Sequence, residues 1–176
     1  MDEREKSALI ATAHALADAA REVTLRYFRA PGLVAETKES HRFDPVTAAD
    51  RAAEARIREM LAESRPDDAV LGEEFGNRPG SSGLTWVIDP IDGTRAFMSG
   101  APTWGVLIAL CDVEGPIYGI IDQPYIGERF EGGLGRARLT APRGARPLSV
   151  APAGRLADAT LFSTFPEVGG EAERHG

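Results

Sequence analysis

Acidic residues follow apolar segments at two places in this chain. Glu73 comes directly after the short segment 70–72, and Asp89 follows a second apolar segment, with Asp92 three residues later in a Pro/Gly turn. A carboxylate at the end of a buried strand is costly unless a group of opposite charge pairs with it. The turn 89–94 contains no Lys or Arg. A divalent cation is the natural partner.

The candidate ligands all offer hard oxygen atoms: carboxylates, a turn carbonyl and a threonine hydroxyl. Such a set suits Mg²⁺ or Mn²⁺ rather than Zn²⁺ or Cu. The three histidines are scattered, and the single cysteine, Cys111, excludes a Cys-rich zinc site and an intrachain disulfide. Two carboxylates from one turn and one from a neighbouring strand can hold two cations side by side, the arrangement that clamps an in-line displacement at phosphorus.

The spacing within 89–94, Asp-Pro-Ile-Asp-Gly-Thr, has its own geometric reason. Pro90 fixes one φ angle and lacks an N–H, and Gly93 lets the chain turn sharply. Asp89 and Asp92 can then point at the same place, with the carbonyl of the intervening isoleucine between them. An Asp-Gly turn by itself is usually only a turn, and a Glu-Glu pair is usually a solvated edge. Their combination, spacing and order favour a metal site.

Two predicted helices come before these segments. Apolar residues recur at spacings of three and four over 5–28, which predicts an amphipathic helix that is ended by 31–32. Thr47 has the type and position of an N-cap, with Asp50 three residues on in the capping-box position. This pattern predicts a second helix that runs to about Ser64.

A run of short strands follows, and helices followed by strands indicate an α+β fold. The segments 77–83 and 132–147 are interpreted as a surface loop and a long turn region. The predicted strands are 33–35, 69–71, 84–88, 104–110, 117–121, one that starts at Phe130, 148–150 and 160–163.

Composition and charge exclude several classes of protein. The 176 residues are 43% apolar and 27% charged, which suits an ordinary globular core. The net charge of −7 argues against a nucleic-acid binder, whose affinity would come from a basic surface. No apolar run is long enough to span a bilayer, and the charged N-terminus lacks the apolar core of a signal peptide. We therefore predict a cytoplasmic protein that binds neither nucleic acid nor membrane.

Three segments together resemble the inositol monophosphatase family of metal-dependent, lithium-sensitive phosphatases. They are 44–50 (Asp-Pro-Val-Thr-Ala-Ala-Asp), 72–74 (Gly-Glu-Glu) and 86–94 (Trp-Val-Ile-Asp-Pro-Ile-Asp-Gly-Thr). The segments 95–100, 102–105 and 122–129 look most like its histidinol-phosphatase branch. The resemblance implies a layered sandwich, of which this chain holds the N-terminal part: two helices packed on a largely antiparallel sheet.

The resemblance implies metal-binding roles for four residues. Glu73 and Asp89, with the Ile91 carbonyl, would hold a first Mg²⁺, and Asp89 and Asp92 would hold part of a second, with Mn²⁺ as an alternative ion. Lys38 would lie near the site in a loop.

Catalytic roles are implied in the same way. Thr94, with Glu73, would orient the attacking water, and Asp50 and Thr47 would hydrogen-bond with Thr94 to set up that water. The backbone N–H groups of Gly93 and Thr94 would receive the phosphate. A Mg²⁺-activated water profits from such a relay, because Mg²⁺ acidifies water less than zinc does.

One departure from the family pattern concerns tryptophan. The family places a further metal-binding Asp after a Trp in a Trp-Asp-x-Ala motif, whereas neither Trp86 nor Trp104 of this chain is followed by Asp. We therefore expect residues 1–176 to be the N-terminal α+β domain of such a fold, without its C-terminal α/β part. Such a chain would lack a ligand of the second metal site and would be weakly active or inactive by itself.

The function that follows is a Mg²⁺-dependent phosphomonoester hydrolase acting on a small phosphorylated metabolite. Histidinol phosphate, an intermediate of histidine biosynthesis, is the preferred substrate, and a homodimer is the expected assembly. Two alternatives stay open at this stage: an inositol, sugar or nucleotide phosphatase of the same family, and a non-catalytic metal-binding or dimerisation fragment.

Overall fold

Three helices and one 3₁₀ turn are present in the computed structural model, which describes residues 1–31, 35–37, 45–152 and 154–160. Helix α1 spans Glu3–Tyr27, α2 spans Ala48–Ser64, the short α3 spans Thr94–Ser99, and the 3₁₀ turn spans Leu156–Asp158. The first two helices confirm the prediction from periodicity, whereas no helix was predicted for the segment of α3.

Side chains cap both long helices. Asp2 accepts the N–H of Glu5 at 2.7 Å and so caps α1. The Thr47 hydroxyl oxygen accepts the N–H of Ala49 at 3.1 Å, and Asp50 accepts the N–H of Thr47 at 2.8 Å. The predicted capping box is confirmed.

Eight of the ten strands found among the described residues form one sheet. The strands are β1 Ala35–Thr37, β2 Pro45–Thr47, β3 Ala69–Gly72, β4 Gly76–Arg78, β5 Thr85–Asp92, β6 Gly105–Cys111, β7 Pro116–Gln123, β8 Glu128–Gly133, β9 Arg136–Ala141 and β10 Gly144–Pro147. The order in the large sheet is β10-β9-β8-β7-β6-β5-β3-β4, and β1 pairs with β2 separately. Neighbouring strands are antiparallel except β3 and β5, which are parallel. Helices on a largely antiparallel sheet confirm the α+β class.

Helices α1 and α2 pack on one face of this sheet. Alternate residues of β5 and β6 point toward the helices, and Trp86, Ile88, Ile108 and Leu110 are at most 2% exposed. Burying a side chain of this size contributes about 1.5–3 kcal/mol. The helix-covered face therefore supplies most of the main core.

The opposite face of the sheet is apolar and largely uncovered. Val87, Leu107 and Phe130 are half-buried, and Ile121 is 52% exposed. They line an open cavity of about 500 Å³ that reaches Asp89. This face therefore holds apolar surface that another layer of structure would bury.

A buried polar network ties α1 to β7 and β8. Asp122, which is fully buried, accepts hydrogen bonds from Arg21 at 2.6 and 3.0 Å and from Arg129 at 2.7 Å. Beside it, Glu131 accepts a hydrogen bond from the Tyr118 hydroxyl. Burial raises the pKa of Glu131, but the hydrogen bonds from Tyr118 and from the histidine of α1 outweigh it, so the pKa lies below its ordinary value.

Several segments differ from the sequence prediction. The predicted loop 77–83 begins inside β4, and the predicted turn region 132–147 contains the end of β8 with β9 and β10. These outer strands are mostly exposed and rich in Gly and Arg, so no apolar alternation marks them. The segment 148–150 is irregular rather than a strand, and 33–34 and 161–163 lie outside the described residues. Every helix of the described part is too short or too polar to cross a membrane.

Candidate metal centre

Strand β5 ends in the turn that carries Asp89, Asp92 and Thr94. The register of β5 against β6 shifts between Asp89 and Asp92. Asp89 Oδ1 accepts the N–H of Ile91 at 3.2 Å, and Gly93 adopts a left-handed conformation with φ +87°. This conformation is easy for glycine and strained for other residues, so Gly93 permits the sharp entry into α3.

Parallel pairing of β3 with β5 brings Glu73 to Asp89. The register pairs Gly72 with Ile88, and the Glu73 N–H donates to the Ile88 carbonyl at 3.3 Å. The carboxyl groups of Glu73 and Asp89 lie within hydrogen-bonding distance of each other. Two of the predicted metal ligands, from segments 16 positions apart in the chain, therefore meet at one edge of the sheet.

This pair of acids is electrostatically strained. Burial raises the pKa of Asp89 to about 7, and the charge and hydrogen bond of Glu73 and the charge of Asp92 act in the same direction. Two adjacent carboxyl groups are satisfied by a shared proton or by a bound cation. A cation that displaces the proton would therefore relieve the repulsion.

Thr47 and Asp50 form a closed, buried pair beside Glu73. Asp50 Oδ2 accepts both the N–H of Thr47 at 2.8 Å and its hydroxyl at 2.6 Å, and each residue is 1% exposed. Burial raises the pKa of Asp50, and the Glu73 charge adds to this effect while the bonds from Thr47 oppose it. The pair therefore lies within electrostatic reach of the Glu73 carboxylate.

The Thr94 hydroxyl has a different partner from the one expected. It donates to the Ile91 carbonyl oxygen at 3.1 Å rather than to the cap residues of α2. The backbone N–H groups of Gly93 and Thr94 lie at the start of α3, where no side chain caps the helix. Lys38 lies outside the described residues.

The oxygen ligands at this turn are of the type that hard divalent cations such as Mg²⁺ prefer. Glu73 and Asp89 provide two carboxyl groups side by side, and the exposed Asp92 and the Ile91 carbonyl lie on the same turn. Within the described residues, however, no three Asp, Glu, His or Cys side chains are close enough together to form a complete metal-binding group. In this part of the chain the structure therefore brings Glu73 and Asp89 together, with Asp92 on the same turn, and shows no complete group of three.

A second apolar cluster supports the turn from below. Ile91 and Phe97 are 1% exposed and Trp104 is 2% exposed, and all three pack with Phe28. The Phe97 and Trp104 rings meet edge to face with centroids 4.8 Å apart. Phe97 and Trp104 therefore pack beneath the turn and support it.

Sequence reasoning missed Glu54, a fully buried acid in the middle of α2. Its carboxylate accepts the backbone N–H groups of Glu74 at 2.7 Å and Phe75 at 3.2 Å, which directly follow Glu73. The sequence does hold a signal for Glu54, because it lies four residues after Asp50 on the apolar face of the predicted helix. An acid buried on that face would destabilise the fold unless it had a hydrogen-bonding or charged partner.

Comparison with known proteins adds independent evidence. The model of the inositol monophosphatase family matches residues 5–171. The histidinol-phosphatase of Mycobacterium tuberculosis is 43% identical over 154 residues, which are 86% of this chain and 58% of that protein. The histidinol-phosphatase of Streptomyces coelicolor is 47% identical over 122 residues, 67% of this chain and 45% of that protein.

A solved structure shares the fold. An inositol monophosphatase from Zymomonas mobilis superposes with a TM-score of 0.63 at 40% identity, covering 80% of this chain and 53% of that one. The chain thus spans about half the length of the relatives that it matches. Proteins of this family are generally metal-dependent, in agreement with the paired carboxyl groups at the strand ends. The match over nearly the whole chain, together with the fold, shows that this chain belongs to the inositol monophosphatase family.

Proposed function

We propose that the complete protein is a Mg²⁺-dependent phosphomonoester hydrolase whose substrate is histidinol phosphate. The observation that carries the proposal is the contact between Glu73 and Asp89, two carboxyl groups held together by parallel strands with Asp92 on the adjoining turn. Such a pair binds a divalent cation in exchange for a proton.

Glu73, Asp89, Asp92 and the Ile91 carbonyl would hold the cation or cations. When bound, Mg²⁺ supplies positive charge that polarises a phosphoryl oxygen and makes water a better nucleophile. Thr94, with Glu73, positions the attacking water. Charge neutralisation at this edge also lets an acidic protein accept an anionic substrate.

The remaining residues act on the phosphate and on the turn. The uncapped N–H groups of Gly93 and Thr94 receive the phosphate oxygens, a role that suits backbone donors at the start of a helix. Asp50 and Thr47 hold the start of α2 beside Glu73. Lys38, which the family resemblance puts near the site in a loop, is the last residue of the proposed set.

Support for the substrate comes from the relatives. Histidinol-phosphatases of three bacteria are 43–47% identical to this chain. We further infer a role in histidine biosynthesis, a homodimeric assembly and a cytoplasmic location, as the family resemblance implies. Residues 1–176 would be the N-terminal α+β domain, and the uncovered apolar sheet face is a surface that a further layer would bury.

The test is phosphate release from histidinol phosphate by the complete protein, with inositol and sugar phosphates as competitors. We expect release to require Mg²⁺ and to fall by about two orders of magnitude or more in Glu73→Gln, because a metal ligand is lost. The matched control is Glu63→Gln, an exposed acid at the end of α2, which should keep full activity. Undiminished release by Glu73→Gln would refute the proposal.

A second candidate is a non-catalytic metal-binding fragment. It is favoured by the described residues, among which no three Asp, Glu, His or Cys side chains lie close enough together to form a complete metal-binding group. Calorimetry on the 176-residue chain would then show Mg²⁺ binding without turnover, whereas turnover by this chain would exclude it.

A further inference from the structure

The buried carboxylate of Glu54 lies under the turn that connects β3 to β4. Glu54 is 0% exposed, although it is an acid in the middle of α2. Its Oε2 accepts the N–H of Glu74 at 2.7 Å, and its Oε1 accepts the N–H of Phe75 at 3.2 Å. Both donors belong to the two residues that directly follow Glu73.

Arg58 completes this contact from the next turn of the helix. Its Nε donates to Glu54 Oε1 at 2.7 Å, and its Nη2 donates to the Gly76 carbonyl at the other end of the turn. The Arg58 guanidinium also lies 5.9 Å from the centroid of the Phe75 ring. One ion pair on α2 therefore holds both halves of the turn.

Gly72 is the residue that makes room for this carboxylate. A Cβ atom at Gly72 would lie 1.9 Å from Glu54 Oε1 and 2.3 Å from its Cδ, far inside contact distance. The glycine of the Gly72-Glu73-Glu74 segment is thus required by the close approach of Glu54 to the end of β3. The same close approach places the Glu54 carboxylate against the backbone on both sides of Glu73.

We propose that Glu54 is a positioning residue for the metal site: it fixes the backbone on both sides of Glu73 and thereby holds the Glu73 carboxylate against Asp89. The proposal rests on the proposed function, because it matters only if Glu73 is a metal ligand. Groups that orient a ligand typically change metal affinity by about 10–100-fold when they are removed.

The experiment uses the 176-residue chain, with Mn²⁺ as the probe, and compares wild type, Glu54→Gln, Gly72→Ala, Glu73→Gln and the control Glu63→Gln. Glu54→Gln replaces one acceptor oxygen with an NH₂ group that would face another donor. Gly72→Ala keeps the charge of Glu54 and displaces its carboxylate. Affinity is measured well below the unfolding temperature, so that a loss of stability alone leaves it unchanged, and amide hydrogen exchange of Glu74 and Phe75 is recorded without metal.

We expect Glu54→Gln and Gly72→Ala each to weaken Mn²⁺ binding about tenfold or more and to speed exchange at the Glu74 and Phe75 amides. Glu63→Gln should match wild type in both measurements. Wild-type affinity in both folded variants, with Glu73→Gln still impaired, would overturn the positioning role and leave the metal site standing. Unchanged amide exchange in Glu54→Gln would also overturn it. Absence of Mn²⁺ binding by wild type would instead overturn the metal site, and the positioning role with it.

Discussion

Replacing Asp89 with Asn should stabilise the metal-free chain while it abolishes metal binding. Burial and the neighbouring Glu73 and Asp92 raise the pKa of Asp89 from 3.8 to about 7. A difference of about 3 in pKa corresponds to about 4 kcal/mol when the group is ionised in both the folded and the unfolded state. Because Asp89 is only half-buried, water screens much of this penalty, and we expect about 1–2 kcal/mol.

The stability gained by Asp89→Asn should depend on pH, because the pKa of Asp89 is raised in the folded state. The folded-state pKa of Asp89 is raised, so the folded chain loses stability as the pH rises from about 4 to about 7, and the penalty is fully present above that range. Asp89→Asn removes the penalty and should raise the unfolding temperature by about 3–8 °C at about pH 8, but by little at about pH 4.

The assay is thermal unfolding in chelator at both pH values, followed by the same measurement with Mn²⁺. Wild type should gain stability with Mn²⁺ and Asp89→Asn should not. The matched control is Asp67→Asn, an exposed acid in the turn before β3. An Asp89→Asn chain that is no more stable than wild type at about pH 8, or equally shifted at both pH values, would refute the reasoning.

Three further predictions concern the scaffold. Asp122→Ala should lower the free energy of unfolding by about 3–5 kcal/mol in urea titrations, because Arg21 and Arg129 lose the buried carboxylate to which both donate. A loss below about 1 kcal/mol would contradict this prediction. Gly93→Ala should cost about 1–2 kcal/mol in the same assay, because φ is +87° there. Tyr118→Phe removes a hydrogen-bond donor to Glu131, whose pKa is lowered in the folded state. The Glu131 carboxylate therefore stabilises the fold at pH values above the ordinary pKa, and this stabilisation is lost as the pH falls through the folded-state pKa. Urea titrations from about pH 3 to 7 should therefore show a flatter acid dependence for Tyr118→Phe, and an unchanged curve would argue against the bond.

Local signals predicted the elements that carry the site. Thr47 and Asp50 form the capping box that the sequence pattern indicates, because a cap is made by residues three apart and needs no distant partner. The strand before Asp89 and the turn at Gly93 are likewise encoded by apolar residues and by Pro/Gly chemistry within a few positions. The outer strands β9 and β10 were missed because exposed hairpin strands carry no apolar alternation.

The partner of Glu73 depends on strand pairing, which local residue patterns do not specify. The parallel register of β3 against β5 puts Glu73 beside Asp89, and a shift of one residue would separate them. The bond from Thr94 to the Ile91 carbonyl is also a property of the folded turn, where a hydroxyl takes the nearest acceptor.

By itself, the order of residues determined the family, the helix caps, the strand that leads to Asp89 and the oxygen-rich donor set, since each of these is written in residues that are neighbours in the chain. Only the tertiary structure decided that Glu73 meets Asp89, that no third acidic ligand joins them among the described residues, and that Glu54 lies under the turn between β3 and β4. The physical reason is that charge repulsion and burial depend on distances between segments, and those distances exist only after the strands have paired and α2 has packed on the sheet.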